Sequence, residues 1–205
     1  MTRFVRSLTA ACLPLAFLTG GGGMLWLYRV RSAEGGFYTR LNEHASDWVG
    51  SHVVLLASAI LIIPASIALA RAVGPGRGSL LATIGLVVAI PGAVLLAGQY
   101  AIDFVMPIIA EVGGEAHTVH QRFFTTEPLN TFFYVLPDLA SLALLVLTIG
   151  LLRSRKLGKG EAALLLAVWG LVIIGAAVHP LLQRGALAAL GLAYLPTTRR
   201  LLQEG

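Results

Sequence analysis

A single cysteine, Cys12, stands in a chain of 205 residues. That excludes an intramolecular disulfide, a CxxC redox pair and a zinc site built on paired thiolates. Charge is scarce too: Asp, Glu, Lys and Arg make up 12% of the chain, roughly half the share of an ordinary soluble domain. No GxSxG, Walker A or HExxH stretch occurs, so the usual marks of an acyl-transfer nucleophile, a phosphate loop and a zinc hydrolase are missing. "GPGRG" at 74–78 shares only its glycine content with a phosphate loop and suits a tight turn. No internal repeat stands out, which weakens an inverted-repeat transporter reading.

What fills the chain instead is apolar, 57% of all residues. Apolar runs of about 18 to 22 residues separate the charged clusters, the length that ~30 Å of hydrocarbon needs at 1.5 Å per residue. A soluble helix would carry a polar face, and these runs mostly do not. The expected fold is all-α: one integral membrane domain over 1–205, a polytopic transmembrane helical bundle. Six spans are expected, at about 8–29, 49–70, 80–100, 131–152, 162–178 and 181–198. "MTRFVRSLTAACLPLAFLTGGGG" has the basic-then-apolar order of a signal peptide but no clean small-x-small site, and reads as a retained first helix. Gly20 to Gly23 should loosen the middle of that helix. Pro180, in "HPLLQRG", resists continuing a helix and should hold the turn between the last two spans.

The formal charge of +5 invites a nucleic-acid reading. The basic residues, however, cluster at the ends of apolar runs and form no phosphate-binding stripe, so nucleic acid is excluded as a partner. Their placement orients a membrane protein. With the N-terminus inside, ten of the 15 basic residues fall on inner segments, four of them in "RSRKLGKGE"; only Arg29, Arg31, Arg40, Arg122 and Arg184 lie outside. Both termini are therefore expected in the cytoplasm, most simply of a bacterial cytoplasmic membrane. The five histidines, and every acidic residue except Glu161 and Glu204, then gather toward the outer side.

Four clusters of polar residues follow. In "NEHASDWVGSH", His44, Asp47, Trp48, Ser51 and His52 share one helical face, as a metal or haem ligand with its orienting acid would, or as an interfacial helix entrance would. Asn130, Tyr134, Asp138 and Ser141 lie within about 80° at 100° per residue. An acid some two turns into an apolar run is costly and should face protein, water or a ligand; Asp138 is thus the leading ligand-binding candidate. Gln99, Tyr100 and Asp103 close the third span, and His179 the fifth. Convergence of Asp103, Asp138, His52 and His179 would make one pocket.

The fourth cluster, "IDFVMPIIAEVGGEAHTVHQRFF", alternates apolar and polar residues, as an amphipathic extracytoplasmic segment between spans three and four would. His117 and His120, with Glu111 or Glu115 nearby, form a weak metal motif that a wet loop explains better. Gly85 and Gly92 in the third span, and Gly185, Ala189 and Ala193 in the sixth, should make small-residue packing faces.

Three functions compete. The first is a small binding or accessory protein, a subunit of a larger membrane assembly or homo-oligomer, or a holder of an apolar small molecule (quinone, lipid or pigment) at its outer side. The second is a membrane-embedded redox or metal protein, with haem on two of His52, His120 and His179, or a divalent metal on the HxxH pair. The third is a proton-coupled carrier using Asp138 and Asp103. No catalytic constellation is present to favour an enzyme, and the first reading leads.

Overall fold

Residues 2–203 are described by a computed structural model. It is all-helical: α1 (Arg3–Ser32), α2 (Phe37–Glu43), α3 (Ala45–Val73), α4 (Ser79–Asp103), α5 (Met106–Val112), α6 (Glu115–Thr125), α7 (Leu139–Arg153), α8 (Lys159–Val178), α9 (Pro180–Ala193) and α10 (Leu195–Gln203), with no strand among the described residues. Five stretches are long and apolar enough to cross a membrane: Arg3–Ser32, Ala45–Val73, Ser79–Val112, Thr131–Arg153 and Lys159–Val178. The range expected as a sixth span is divided. α9 has 14 residues and ends before Tyr194, and α10 begins at Leu195. Fourteen residues rise only about 21 Å, short of a ~30 Å hydrocarbon layer.

The long helices lie side by side in the order α8, α9, α1, α3, α4, α7. Their outward faces are apolar, with Leu80, Val87 and Val94 exposed along α4 and Ile173 and Ile174 along α8. The core is also largely apolar, and a polar knot within it is closed on itself. Trp169 Nε1 donates to Tyr194 Oη at 3.1 Å, and Tyr194 Oη is hydrogen-bonded to Thr148 Oγ1. Phe17 stacks on Tyr194 with ring centroids 5.1 Å apart. This satisfies each buried polar atom while joining α1, α7, α8 and the α9–α10 junction. At the bundle end away from α6, α10 is tied to α8 by Arg200, whose Nη2 lies 2.8 Å from Glu161 Oε1.

The glycine run does not loosen α1, which is helical throughout. The reason is tertiary. A Cβ at Gly21 would run into the Ala188 backbone, and one at Gly20 would meet Ser58 Oγ at 2.8 Å. Close approach of α9 and α3 outweighs the helix propensity that glycine sacrifices. Gly85 and Gly92 do face α7, where added Cβ atoms would lie 2.7 Å from Leu147 Cγ and 2.6 Å from the Ala140 nitrogen. The α9 expectation holds at Ala193 and fails at Gly185. Gly185 has open space beside it, and the buried face is Ala186, Leu190, Gly191 and Ala193, with Ala189 only half-buried.

Candidate functional site

At the bundle end that carries α2, α5 and α6, three long helices contribute polar side chains to one point. His52 lies on α3, completely buried, with Nδ1 2.7 Å from the Trp48 carbonyl oxygen one turn earlier. A carbonyl only accepts, so Nδ1 carries the hydrogen. The other nitrogen, Nε2, lies 3.3 Å from Oδ2 of Asp103, the last residue of α4, itself 5% exposed. That is ion-pair distance without hydrogen-bond alignment; a proton between the two atoms would give either imidazolium and carboxylate or imidazole and carboxylic acid. Each state is neutral overall, which makes the couple tolerable away from water.

Asp103 is held from two further sides. Trp48 Nε1 donates to its carbonyl oxygen at 2.7 Å, and Tyr134 Oη donates to Oδ1 at 3.3 Å. Tyr134 reaches it because the chain departs from α-helical geometry just there. Thr131–Val135 is a π turn, with Leu136 N bonded to the Thr131 oxygen; Leu136–Asp138 is a 3₁₀ turn. Pro137 explains the change, since it has no N–H to donate and its ring crowds the carbonyl four residues back.

That same change overturns the expected face of Asn130, Tyr134 and Asp138. The 100° spacing does not hold across a π turn followed by a 3₁₀ turn. Tyr134 points inward to Asp103, Asn130 is half-buried, and Asp138 is exposed with no side-chain hydrogen bond among the described residues. His179 is exposed as well. It is the N-cap of α9, where Nδ1 accepts from Leu181 N at 3.2 Å, and its ring neighbours Tyr28. Of the expected pocket, then, His52 and Asp103 converge, Tyr134 joins them, and Asp138 and His179 do other things.

Above the couple lies a cavity of about 290 Å³. Its walls are aromatic: Phe37 of α2, Trp48, Phe124 of α6, and Tyr134. Phe124 and Tyr134 stack at 4.3 Å. Its polar lining is Asp103 with Gln99, one turn earlier on α4, and Arg31 at the end of α1. Arg31 also sits over the Trp48 ring, 5.9 Å from the centroid.

His117 and His120 do share the inner face of α6, and both rest on Tyr38. His117 stacks flat on that ring at 3.5 Å. Tyr38 Oη lies 3.3 Å from the His117 carbonyl oxygen and 2.8 Å from His120 Nδ1. Both contacts are satisfied if Tyr38 donates to the carbonyl and His120 donates to Tyr38. Burial pushes the His120 imidazole below the usual histidine range, helped by neighbouring His117 and opposed by Asp103; burial also pushes the Tyr38 phenol up. Both are thereby kept neutral. Glu115 is exposed at the start of α6, and no three His, Cys, Asp or Glu side chains cluster as a metal site among the described residues. The pair docks α6 on α2, and Asn42 Nδ2 docks α2 on α5 through the Ala110 oxygen at 3.3 Å.

Of the three histidines offered for haem, His52 Nε2 faces Asp103, His179 Nδ1 caps a helix, and the buried Nε2 of His120 has no hydrogen-bond partner among the described residues. His44 and Asp47 sit 3.9 Å apart, both half-buried, with Asp47 accepting from Trp26 Nε1 at 2.9 Å; they dress the start of α3.

Sequence reasoning missed Arg31, Phe37, Tyr38 and Phe124. The available signal was the adjacent aromatic pairs Phe37–Tyr38 and Phe123–Phe124 inside polar connections, where no core demands them.

No family model, no curated protein and no solved structure matches this chain. The class that fold and site define is a helical bundle of membrane type, with an aromatic-walled cavity closed at its base by a buried His–Asp–Tyr cluster.

Proposed function

We propose that the chain is a small integral membrane binding protein that holds an apolar ligand in the cavity above Asp103. The observation that carries this reading is the cavity's composition. Four aromatic walls surround a few convergent polar groups, the arrangement of ligand sites that bind by apolar burial and orient by hydrogen bonds.

In this reading α9 and α10 together complete a sixth pass. Both termini then face the cytoplasm of a bacterial membrane, and α6 lies amphipathically at the outer headgroup level, as the ten-to-five basic asymmetry supports. The apolar outer faces and the small-residue contacts suit a subunit of a larger membrane assembly.

The test is organic extraction and mass spectrometry of protein purified from its own membrane in mild detergent, wild type beside Gln99→Trp. The indole should fill the cavity and remove a molecule that the wild type carries. Identical extracts from two equally folded proteins would refute the reading.

A further inference from the structure

We infer that the ligand of this cavity is a quinone-class molecule, a planar ring bearing carbonyl oxygens, with its apolar tail leaving along the bundle surface. The inference rests on the ligand-holding reading above and narrows it. Arg31 and Gln99 both line the cavity, and neither side chain has a hydrogen-bond partner among the described residues. Gln99 is half-buried and Arg31 is exposed, so both can donate to an acceptor on the ligand. A hydrocarbon chain or sterol-like body would bury the Gln99 amide unpaired, a cost that a pure apolar site does not carry.

The Asp103 carboxyl lies in the same wall, its Oδ1 accepting from Tyr134 and its Oδ2 3.3 Å from His52 Nε2. An anionic head group would be drawn to Arg31 but would bring a second set of acceptor oxygens against that carboxyl. A neutral carbonyl oxygen accepts from Gln99 and Arg31 without adding charge. The Trp48 ring and the stacked Phe124–Tyr134 pair supply flat faces for a flat ligand. A volume of about 290 Å³ is at the lower end for ligand sites, room for a one- or two-ring head group but not for a macrocycle.

The experiment compares three probes on the full-length protein in nanodiscs, read by quenching of tryptophan fluorescence, with Trp48→Phe as the control that assigns the signal. The probes are menadione, 2-methylnaphthalene (the same ring without its oxygens) and palmitate. Menadione should bind at least about ten-fold more tightly than 2-methylnaphthalene, and Gln99→Leu should shrink that ratio to within about two-fold while leaving 2-methylnaphthalene unchanged. Equal binding of the two ring probes by the wild-type protein would overturn the quinone assignment and leave the apolar-ligand reading standing. Tighter binding of palmitate would overturn it in favour of an anionic lipid. Absence of binding by all three would count against both readings.

Discussion

His52 Nε2 and Asp103 Oδ2 lie 3.3 Å apart, and neither residue is more than 5% exposed. One nitrogen of the imidazole is committed to a carbonyl of its own helix, so the other meets the carboxylate favourably with a proton between them. That joins α3 to α4 at the base of the cavity. Removing one partner strands the other. Asp103→Leu should cost on the order of 3 kcal/mol, the range for breaking a buried pair, and His52→Leu a similar amount. The double variant should cost clearly less than the two together. Unfolding in a denaturing-detergent series measures all three. Additive losses would show that the two side chains do not interact.

The His120–Tyr38–His117 stack makes the docking of α6 sensitive to acid. The folded-state affinity of His120 for protons lies below its ordinary value, chiefly through burial. The unfolded state therefore binds more protons through this window, and folding stability rises with pH. The contribution is complete above the ordinary histidine value of about 6.5 and is lost as pH falls through the lower folded value. Amide exchange across 115–125, corrected for its intrinsic pH dependence, should quicken between pH 7.5 and 5.5. His120→Phe should flatten that response. An equally steep response in the variant would place the acid sensitivity elsewhere.

Glycines on α1 and α9 make opposite predictions. Gly21→Ala drives a methyl into the Ala188 backbone and should destabilise by about 1–3 kcal/mol through overpacking. Gly185→Ala meets open space within its helix and should be neutral or stabilising by up to about 1 kcal/mol, the propensity difference between the two residues. Thermal midpoints in one detergent decide it; a neutral Gly21→Ala would mean that α1 and α9 are not in backbone contact.

Asp138 and Tyr134 separate in the same way. Asp138→Asn should leave stability within about 0.5 kcal/mol, as for a surface position, and leave menadione quenching of Trp48 unchanged. Tyr134→Phe removes the hydrogen bond to Asp103 and should cost about 1 kcal/mol. If Asn at 138 abolished binding and Phe at 134 did nothing, the inward-facing residue would be the wrong one.

The helical class was legible from run length and hydropathy, because a ~30 Å apolar layer imposes both. His52 and Asp103 were legible as polar residues at the ends of apolar runs. Their partnership was not, since it depends on how α3 packs against α4. Asp138 misled because helical spacing was extended across Pro137, where π and 3₁₀ turns change the angle per residue. The glycines of α1 misled for the opposite reason: propensity treats them as defects, whereas at Gly20 and Gly21 neighbouring helices approach closely. His179 looked like a ligand and is a cap, a role set by the adjoining Pro180 turn.

The central claim is that His52 and Asp103 hold one proton between them at the base of the ligand cavity. Nitrogen-15 NMR of histidine-labelled protein, with the His52 signals assigned by their loss in His52→Gln, tests it most directly. The account predicts a protonated Nδ1 at pH 7 and an Nε2 shifted by a bound or shared proton, with that shift altered in Asp103→Leu. An Nε2 signal of a bare lone pair, unchanged when Asp103 is replaced, would contradict it.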